Sequence, residues 1–528
     1  MSDRTFQNES PLDFSIASHR DDFNGAVGLV RKRIEQREYV AKPIVEGRRR
    51  DCSEQISSLD PAAPSRIVGT VHLADTHLAQ EALDSLATGA RIFNEMGYEK
   101  RAHCLLRLGD LMARRRNELA ALMIYEAGKP WKEADADVCE AIDFCRYYAI
   151  EMLKLGPPRQ LMQVTGETNY YFYRPRGLGV VIAPWNFPLA IPCGMTVASL
   201  VTGNPTILKP AEQTSVIASE FAALVLEAGV PPNAFAFLPA LGESVGKFLV
   251  ESPQVHVICF TGSRDVGLQI LRAGATVPAG QNHVKRVITE MGGKNAAIID
   301  EDADLDEAVK GVLYSAFGFA GQKCSACSRV IAVGDSYEPF LSRLCDATGD
   351  LLVGHPEDPA TFLNPLIDQT SQERVLREIA DARGVHTLAF QGEVPSEGFY
   401  VPATIFRDVE TRSRLWQEEL FAPVLACRQA SNFLEAIEMA NNTQYALTGG
   451  VFSRSPKNIE YAYQHFEAGN LYINRSTTGA IVCRQPFGGY RLSGIGSKAG
   501  GPDYLLQFVD PRTVTENSMR RGFTPELV

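Results

Sequence analysis

The stretch Phe317-Gly-Phe-Ala-Gly-Gln-Lys-Cys-Ser-Ala-Cys-Ser-Arg329 sets Cys324 on a loop of small residues between two regular patterns. Helical spacing runs in from Leu305 to Ala320, and the apolar run Val330-Ile-Ala-Val333 reads as a short buried strand. Lys323 precedes the thiol and Ser325 follows it. A cationic neighbour favours the thiolate, the nucleophilic form. Against this, cysteine is commonly a small buried hydrophobe, and the chain has eleven of them. The stretch alone leaves both readings standing.

Outward from it, β and α patterns alternate. Strands are predicted at Gly179–Ala183, Thr206–Leu208, Ala234–Leu238, His256–Phe260 and Arg286–Thr289, with helices at Leu189–Val201, Ser215–Ala228, Glu243–Val250 and Asp265–Ala273. A second set has strands near Ala296–Ile299 and Val330–Val333, and helices near Leu305–Phe319, Tyr337–Leu351, Gln372–Ala382 and Phe433–Asn441. Short apolar strands separated by helices indicate parallel sheets covered on both faces. Residues 1 to about 60 are polar, with helical spacing at Asn24–Gln36, and read as an arm packed on the body. Asp75 to Leu153 reads as three or four helices, and Gly156–Pro175, with Tyr170-Tyr-Phe-Tyr173, as a projecting β-hairpin. Residues 503 to 528 resume extended character and end in a polar tail.

At 528 residues more than one domain is expected. The net charge of -11 is spread along the chain apart from Arg48-Arg49-Arg50 and Arg114-Arg115-Arg116, which argues against nucleic acid as a partner. The cysteines lack framework spacing, which points to a reducing, cytoplasmic setting. Cys324 and Cys327 form the C-x-x-C pair, no second pair completes a site, the nine histidines are isolated, and no metal is expected. Asp3, Arg4 and Glu9 interrupt the N-terminus, so it does not read as a secretory signal. Gly177 to Leu208 carries no charge, but Pro184, Pro188, Pro192 and Pro205 would break a spanning helix repeatedly, so no membrane span is expected.

Ligands of an open parallel sheet sit beyond the carboxyl ends of its strands. Asn186, between Trp185 and Phe187, offers an amide donor for an oxyanion, and serves equally as a turn residue before Pro188. Lys209 and Glu212 can reach the hydroxyls of an adenine-linked ribose, the carboxylate favouring NAD over NADP; elsewhere such a pair is a surface ion pair. Phe260-Thr-Gly-Ser-Arg-Asp-Val-Gly267 is a strand, a turn and a helix start, which suits a pyrophosphate. Glu290, at an apolar strand end before Gly292 and Gly293, can act on water as a general base, or pair with Lys294. Gln417-Glu-Glu-Leu-Phe-Ala-Pro423 adds Glu419 and Phe421, and Pro486-Phe-Gly-Gly489 opens a glycine-rich loop.

With these landmarks in order over nearly its whole length, the chain resembles the aldehyde dehydrogenase superfamily. Gly321-Gln-Lys-Cys-Ser-Ala-Cys-Ser-Arg329, Thr478-Gly-Ala-Ile-Val482 and Lys498-Ala-Gly-Gly-Pro-Asp-Tyr504 are similar to the subgroup that acts on L-glutamate γ-semialdehyde. The resemblance implies an α/β fold with a Rossmann-type NAD-binding domain (1–155 with the arm and helices, and 176–289). It also implies an α/β catalytic domain (290–502) and an oligomerisation element (156–175 and 503–528). Cys324 would be the nucleophile, Glu290 the base, and Asn186 with the Cys324 N–H the oxyanion donors. Lys209, Glu212, Ser263, Gly267, Gly292, Glu419 and Phe421 would hold NAD.

For the substrate, the resemblance implies an anchor for the α-carboxylate and amine at Gly479 and Ala480. Phe187 and Phe487 would clamp the aliphatic middle, with Lys323 and Ser325 beside the nucleophile. It implies NAD-dependent oxidation of glutamate semialdehyde to glutamate in proline catabolism, a homodimer or larger homo-oligomer, and a functional link to proline dehydrogenase. The alternatives are another semialdehyde, such as succinate semialdehyde, or a non-catalytic family member. Ala422 and Cys483 stand where glycine is usual and Ala480 where some members carry serine; Cys327 is expected to be structural.

Overall fold

The computed structural model describes residues 5–519. Residues 1–4, at the start of the expected arm, and 520–528, the end of the expected oligomerisation element, lie outside the described residues.

Strands Gly179–Ile182, Thr206–Lys209, Phe235–Phe237, Val257–Thr261 and Arg286–Glu290 pair in parallel, each within one residue of its predicted ends. Their short β-branched runs are buried, as a sheet covered on both faces requires. Gly179–Ile182 lies mid-sheet; the chain builds outward on one side through Thr206–Lys209 and Phe235–Phe237, then on the other through Val257–Thr261 and Arg286–Glu290. The crevice at this switch lies between the loops that follow Ile182 and Thr261, the place where such sheets bind ligands. Gly494–Ile495 closes one edge antiparallel, and Ile44–Val45 followed by Arg48–Arg49 closes the other, so part of the N-terminal arm completes this sheet. The rest of the arm is anchored by helix Ala17–Glu35, which buries Phe23, Val27, Val30 and Ile34. The charge-free stretch 177–208 folds as strand, loop, helix Ala190–Val201 and strand, and no helix among the described residues is long and apolar enough to cross a membrane.

The second sheet runs Thr387–Gln391, Thr404–Arg407, Val424–Ala430, Cys327–Val333, Asn295–Ile299, Thr448–Phe452, Asn470–Ile473, parallel except at the first edge. Several of these strands were not predicted, because their signal is weak. Thr448-Gly-Gly-Val-Phe452 is the clearest case: Gly449 faces the Phe466 ring and Gly450 faces Thr477, each so closely that a Cβ would clash. Such positions select glycine, which hides strand propensity. The helix predicted over Leu305–Phe319 ends at Phe317, and Glu243–Val250 is a π-type turn, Gly242–Gly246, followed by helix Lys247–Glu251.

Helices Thr76–Glu95, Tyr98–Arg114, Arg116–Glu126 and Trp131–Leu155 cover the first sheet and share its core. Strand Glu167–Pro175 pairs antiparallel with Arg159–Gln160 and, over nine registered pairs, with Val509–Asn517. This small sheet stands apart from the two large ones.

A buried carboxylate ties the helices to the first sheet's crossovers. Glu126 accepts from the N–H groups of Val216 and Ile217 at 2.8 Å, the first turn of helix Ser215–Glu227, and from Ser58 Oγ at 2.9 Å. Glu126→Ala leaves these buried donors unpaired and is expected to cost about 2–3 kcal/mol, read by denaturant unfolding, while Glu126→Gln, which keeps an acceptor, costs less.

Candidate active site

Helix Leu305–Phe317 stops where the chain turns left-handed at Phe319 (φ 54°), Ala320 (φ 52°) and Gly321 (φ 68°). Two non-glycine residues there store strain, which surrounding contacts must over-determine. Gly321 is required twice: its φ is left-handed, and a Cβ would overlap the Ala422 carbonyl. The turn brings Gln322 to Cys324 back beneath the first sheet's crevice.

Gln322 is fully buried and holds this loop. Its side-chain amide donates to the carbonyls of Phe319 (3.3 Å) and Pro365 (3.2 Å), and its Oε1 accepts from Ile367 N–H at 3.0 Å. Its own carbonyl accepts from Asn186 Nδ2 at 3.0 Å. Asn295 Nδ2 donates to the carbonyls of Cys324 (2.7 Å) and Ala326 (2.9 Å) from below. Thr448 and Thr477 hydroxyls donate to the Ser325 carbonyl at 3.2 and 3.3 Å. The thiol thus projects from a loop whose carbonyls are tied on both sides.

Asn186 sits in the loop after strand Gly179–Ile182 and is 4% exposed. Its backbone carbonyl accepts from Lys129 Nζ at 2.9 Å, and the same ammonium pairs with Asp137 at 3.0 Å, both side chains fully buried. Lys129 also lies 4.0 Å from the Phe187 ring centroid and 4.5 Å from that of Phe319. Asp137 in turn accepts from Ala190 N–H at 2.6 Å, where helix Ala190–Val201 starts. One buried ion pair therefore fixes the loop, the ring of Phe187 and the following helix.

Lys323 departs from its expected part in activating the thiol. Its ammonium bonds Glu133 at 2.6 Å and lies 5.1 Å from the Tyr314 ring centroid, whose hydroxyl donates to the same carboxylate at 2.8 Å. Burial alone would raise Glu133, but the Lys323 and Lys129 ammoniums hold it below the usual carboxylate range. The Cys324 thiol is pushed up, first by burial and then by the charges of Glu419 and Glu290. These surroundings favour the protonated thiol over the thiolate expected from Lys323, whose ammonium is held by Glu133.

Glu290 ends strand Arg286–Glu290. Burial pushes its carboxyl up to about 8, moderated by a hydrogen bond from the Gly489 N–H and by Lys498. Its Oε2 is buried with no hydrogen bond among the described residues. No ion pair joins it to Lys294, which was the alternative reading. Once ionised, this carboxyl, with one oxygen unclaimed by the described residues, can take a proton from a water.

The residues expected to hold NAD stand at and just after the ends of strands Thr206–Lys209, Val257–Thr261 and Arg286–Glu290 and on the loop before Val424–Ala430. Lys209 Nζ donates to Glu212 Oε1 at 3.0 Å, and that oxygen also accepts from Gly242 N–H at 2.9 Å, leaving Oε2 free. Ser263 caps helix Arg264–Gly274 through Val266 N–H, and a Cβ on Gly267 would lie 2.5 Å from Met291 Sδ. The helix's first N–H groups remain open toward an anion. Glu419 Oε1 accepts from Gly293 N–H at 2.9 Å and packs on Gly292, where a Cβ would overlap the carboxylate; burial pushes Glu419 up to about 7. Phe421, left-handed at φ 56°, meets Trp185 edge-on at 5.5 Å between centroids. A free carboxylate oxygen, an open helix N-terminus and glycines admitting close approach fit a dinucleotide.

At the far end, Gly479 has φ 77° and open space where a Cβ would stand, so conformation rather than packing requires glycine there. Ala480 and Phe487 are half-buried, and Phe487 pairs with Ala499 through N–H···O bonds of 2.9 and 2.7 Å. Cys483 is exposed, whereas Cys327 is buried in its strand.

The aldehyde dehydrogenase family model matches residues 49–514. The chain belongs to the aldehyde dehydrogenase family. It is 46% identical over 512 residues to a 1-pyrroline-5-carboxylate dehydrogenase of Geobacillus sp. (strain WCH70), covering 97% of this chain and 99% of that one. The crystal structure of a Thermus 1-pyrroline-5-carboxylate dehydrogenase with bound NAD superposes with a TM-score of 0.95 at 42% identity, over 98% of this chain and 100% of the other. Proline utilization A from Bdellovibrio bacteriovorus superposes with a TM-score of 0.96 at 46% identity over 99% of this chain, which spans 54% of that longer one.

Reading along the chain missed Lys129, Asp137, Glu133, Gln322 and Asn295. Glu133 and Asp137 stand four apart on helix Trp131–Leu155, but Lys132, Asp135, Glu140 and Asp143 on the same helix hide them among other charges. Lys129→Met strands Asp137 and frees the Asn186 loop; it is expected to cost about 3–5 kcal/mol in denaturant unfolding.

Proposed function

We propose that this chain oxidises L-glutamate γ-semialdehyde, the open form of 1-pyrroline-5-carboxylate, to L-glutamate with NAD, a step of proline catabolism. The observation that carries the chemistry is convergence on one thiol. The Asn186 amide reaches the loop carbonyl two residues before Cys324, and the carboxyls of Glu290 and Glu419 both act on that sulfur. The near full-length likeness to 1-pyrroline-5-carboxylate dehydrogenases supports the substrate.

In this reading the Cys324 thiol gives its proton to water as Sγ bonds to the aldehyde carbon, giving a thiohemiacetal oxyanion. The oxyanion is met by the second Asn186 amide N–H, the first being used by Gln322, and by the Cys324 backbone N–H. When bound, NAD supplies the acceptor for the hydride that the thiohemiacetal carbon gives up. The residues that would hold it are Lys209, Glu212, Ser263, Gly267, Gly292, Glu419 and Phe421. Glu290 then takes a proton from water as the water attacks the thioester, and glutamate leaves with Cys324 again a thiol. Phe187 and Phe487 would flank the methylenes, Gly479 and Ala480 would meet the α-carboxylate, and Lys323 and Ser325 would border the reacting end.

Residues 1–155 and 176–289 would serve as the NAD-binding domain, 290–502 as the catalytic domain, and 156–175 with 503–528 as the element for a homodimer or larger homo-oligomer. The paired strands Glu167–Pro175 and Val509–Asn517 support the last, since their sheet, separate from both large ones, has edges that a second copy can cover. All eleven cysteines are free, which supports a cytoplasmic setting. The likeness to proline utilization A supports a functional link to proline dehydrogenase.

In steady-state assays glutamate semialdehyde is expected to exceed succinate semialdehyde in kcat/KM by at least about tenfold, one lost ion pair's worth; equal preference would overturn the substrate. Cys324→Ala is expected to abolish NAD reduction with either aldehyde. Because Glu290 works as carboxylate and its carboxyl is raised to about 8, hydrolysis should be slowest in acid. Where hydrolysis limits, kcat should rise about tenfold from roughly pH 7 to 9, and Glu290→Gln should erase that rise.

A further inference from the structure

Where strands Asn295–Ile299 and Cys327–Val333 begin, the second sheet buries two cations. Lys294, just before the first strand, is 2% exposed, and Arg329, in the second, is 1% exposed. Arg329 donates to the carbonyls of Lys294 at 2.9 Å, Met439 at 3.2 Å and Ala440 at 2.8 Å, the last two at the end of helix Phe433–Asn441. None of these partners is a carboxylate, and a guanidinium has N–H groups to spare beyond three such bonds. The Lys294 ammonium makes no hydrogen bond or ion pair with any described residue. A buried ammonium with nothing to donate to is costly unless something brought in from outside completes it.

Both residues line a small cavity, together with Asn295, Tyr445 and Thr448. Its free space is little more than a water-sized body takes up. The acids nearby are engaged elsewhere. Glu467, on the cavity wall, is ion-paired with Arg491. Glu419 accepts from the Gly293 N–H, and Glu418 pairs with Arg264 at 3.5 Å, so both act on Lys294 through their fields alone. Cys327, the other group whose charge would favour the ammonium, is a thiol that burial pushes up to about 12. Burial and then the Arg329 charge bring the Lys294 ammonium down to about 7. The empty site thus relieves its excess of positive charge by letting a proton go.

We propose that this cavity is a binding site for one small monovalent anion of the halide class, held by the Lys294 ammonium and the spare N–H groups of Arg329. The sign of the occupant follows from two buried cations with no acid paired to either, and its size from the room available, which excludes phosphate and carboxylic acids. An anion there favours the protonated form of Lys294, so binding is tightest in acid and weakens as pH rises through about 7, where the empty site loses its proton. The site is coupled to the nucleophile's support. Asn295, on the cavity wall, donates to the carbonyls of Cys324 and Ala326 and accepts from Thr448 N–H at 2.9 Å. An anion beside Asn295 braces the residue from which that loop hangs, whichever semialdehyde the enzyme takes.

The test uses the full-length protein and two halides. Crystals grown in sodium bromide and measured at the bromine absorption edge are expected to show an anomalous peak between the Lys294 ammonium and the Arg329 guanidinium; a water alone at that place overturns the site. In solution, chloride is expected to raise Tm saturably over gluconate at equal ionic strength, since the bulkier anion cannot enter. The Kd for chloride read from that rise should weaken about tenfold from pH 6 to pH 8, as expected for an empty-site amine that titrates near 7. Lys294→Met, which keeps the bulk and removes the charge, is expected to lose both the bromide peak and the chloride-specific rise. Should that variant not fold, the bromide peak and the pH dependence in the wild type decide alone. A rise equal in gluconate, one that does not weaken with pH, or one unchanged in Lys294→Met overturns the proposal.

Discussion

The hydrogen bond from Asn186 Nδ2 to the Gln322 carbonyl, 3.0 Å long and fully buried, is the contact on which the site depends. It joins the loop leaving a central strand of the first sheet to the loop entering a central strand of the second. Neither loop is complete chemically without the other: one carries the amide and the other the thiol. The bond is secured at both ends by groups taken out of water. Lys129 and Asp137 fix the Asn186 backbone, and the Gln322 side chain ties its own loop to Phe319, Pro365 and Ile367. Buried polar networks of this sort hold geometry only when every member is paired, which is why loss of one ammonium is costly.

The same burial sets the charges. A thiol, two carboxyls and a third on the covering helix lie within reach of one another's fields, and each is pushed toward its neutral form. Groups held toward their neutral forms by burial repel one another little. That arrangement reconciles a cysteine nucleophile with three nearby acids. The lysine next to the thiol in the chain does not do this work, because Glu133 already holds it.

The fold was readable where burial imposes one uniform pattern. The five parallel strands of the first sheet and their helices appear as unbroken apolar runs alternating with helical periods. The second sheet was readable only in part, because strands such as Thr448–Phe452 trade β-branched residues for glycine to let Phe466 and Thr477 close on them. In the site, Cys324, Glu290, Asn186 and the residues proposed to hold NAD stand in ordered motifs that the sequence itself displays. The parts played by Lys129, Gln322 and Asn295 are not displayed there. The groups that Lys129, Gln322 and Asn295 bond lie mostly tens of positions or more away, and no local spacing announces a contact that only folding creates.

The sequence by itself determined which groups are available: a thiol on a loop of small residues, an amide between two aromatics, an acid before paired glycines, and βα alternation that places their loops at the crevice of a parallel sheet. Only the tertiary structure decided the state of those groups. It gave Lys323 to Glu133, left Lys294 without a partner among the described residues, kept Cys324 a thiol and raised Glu290. The reason is physical: residue type and spacing are properties of the chain, whereas a proton's affinity for a side chain depends on the water removed and the charges gathered around it.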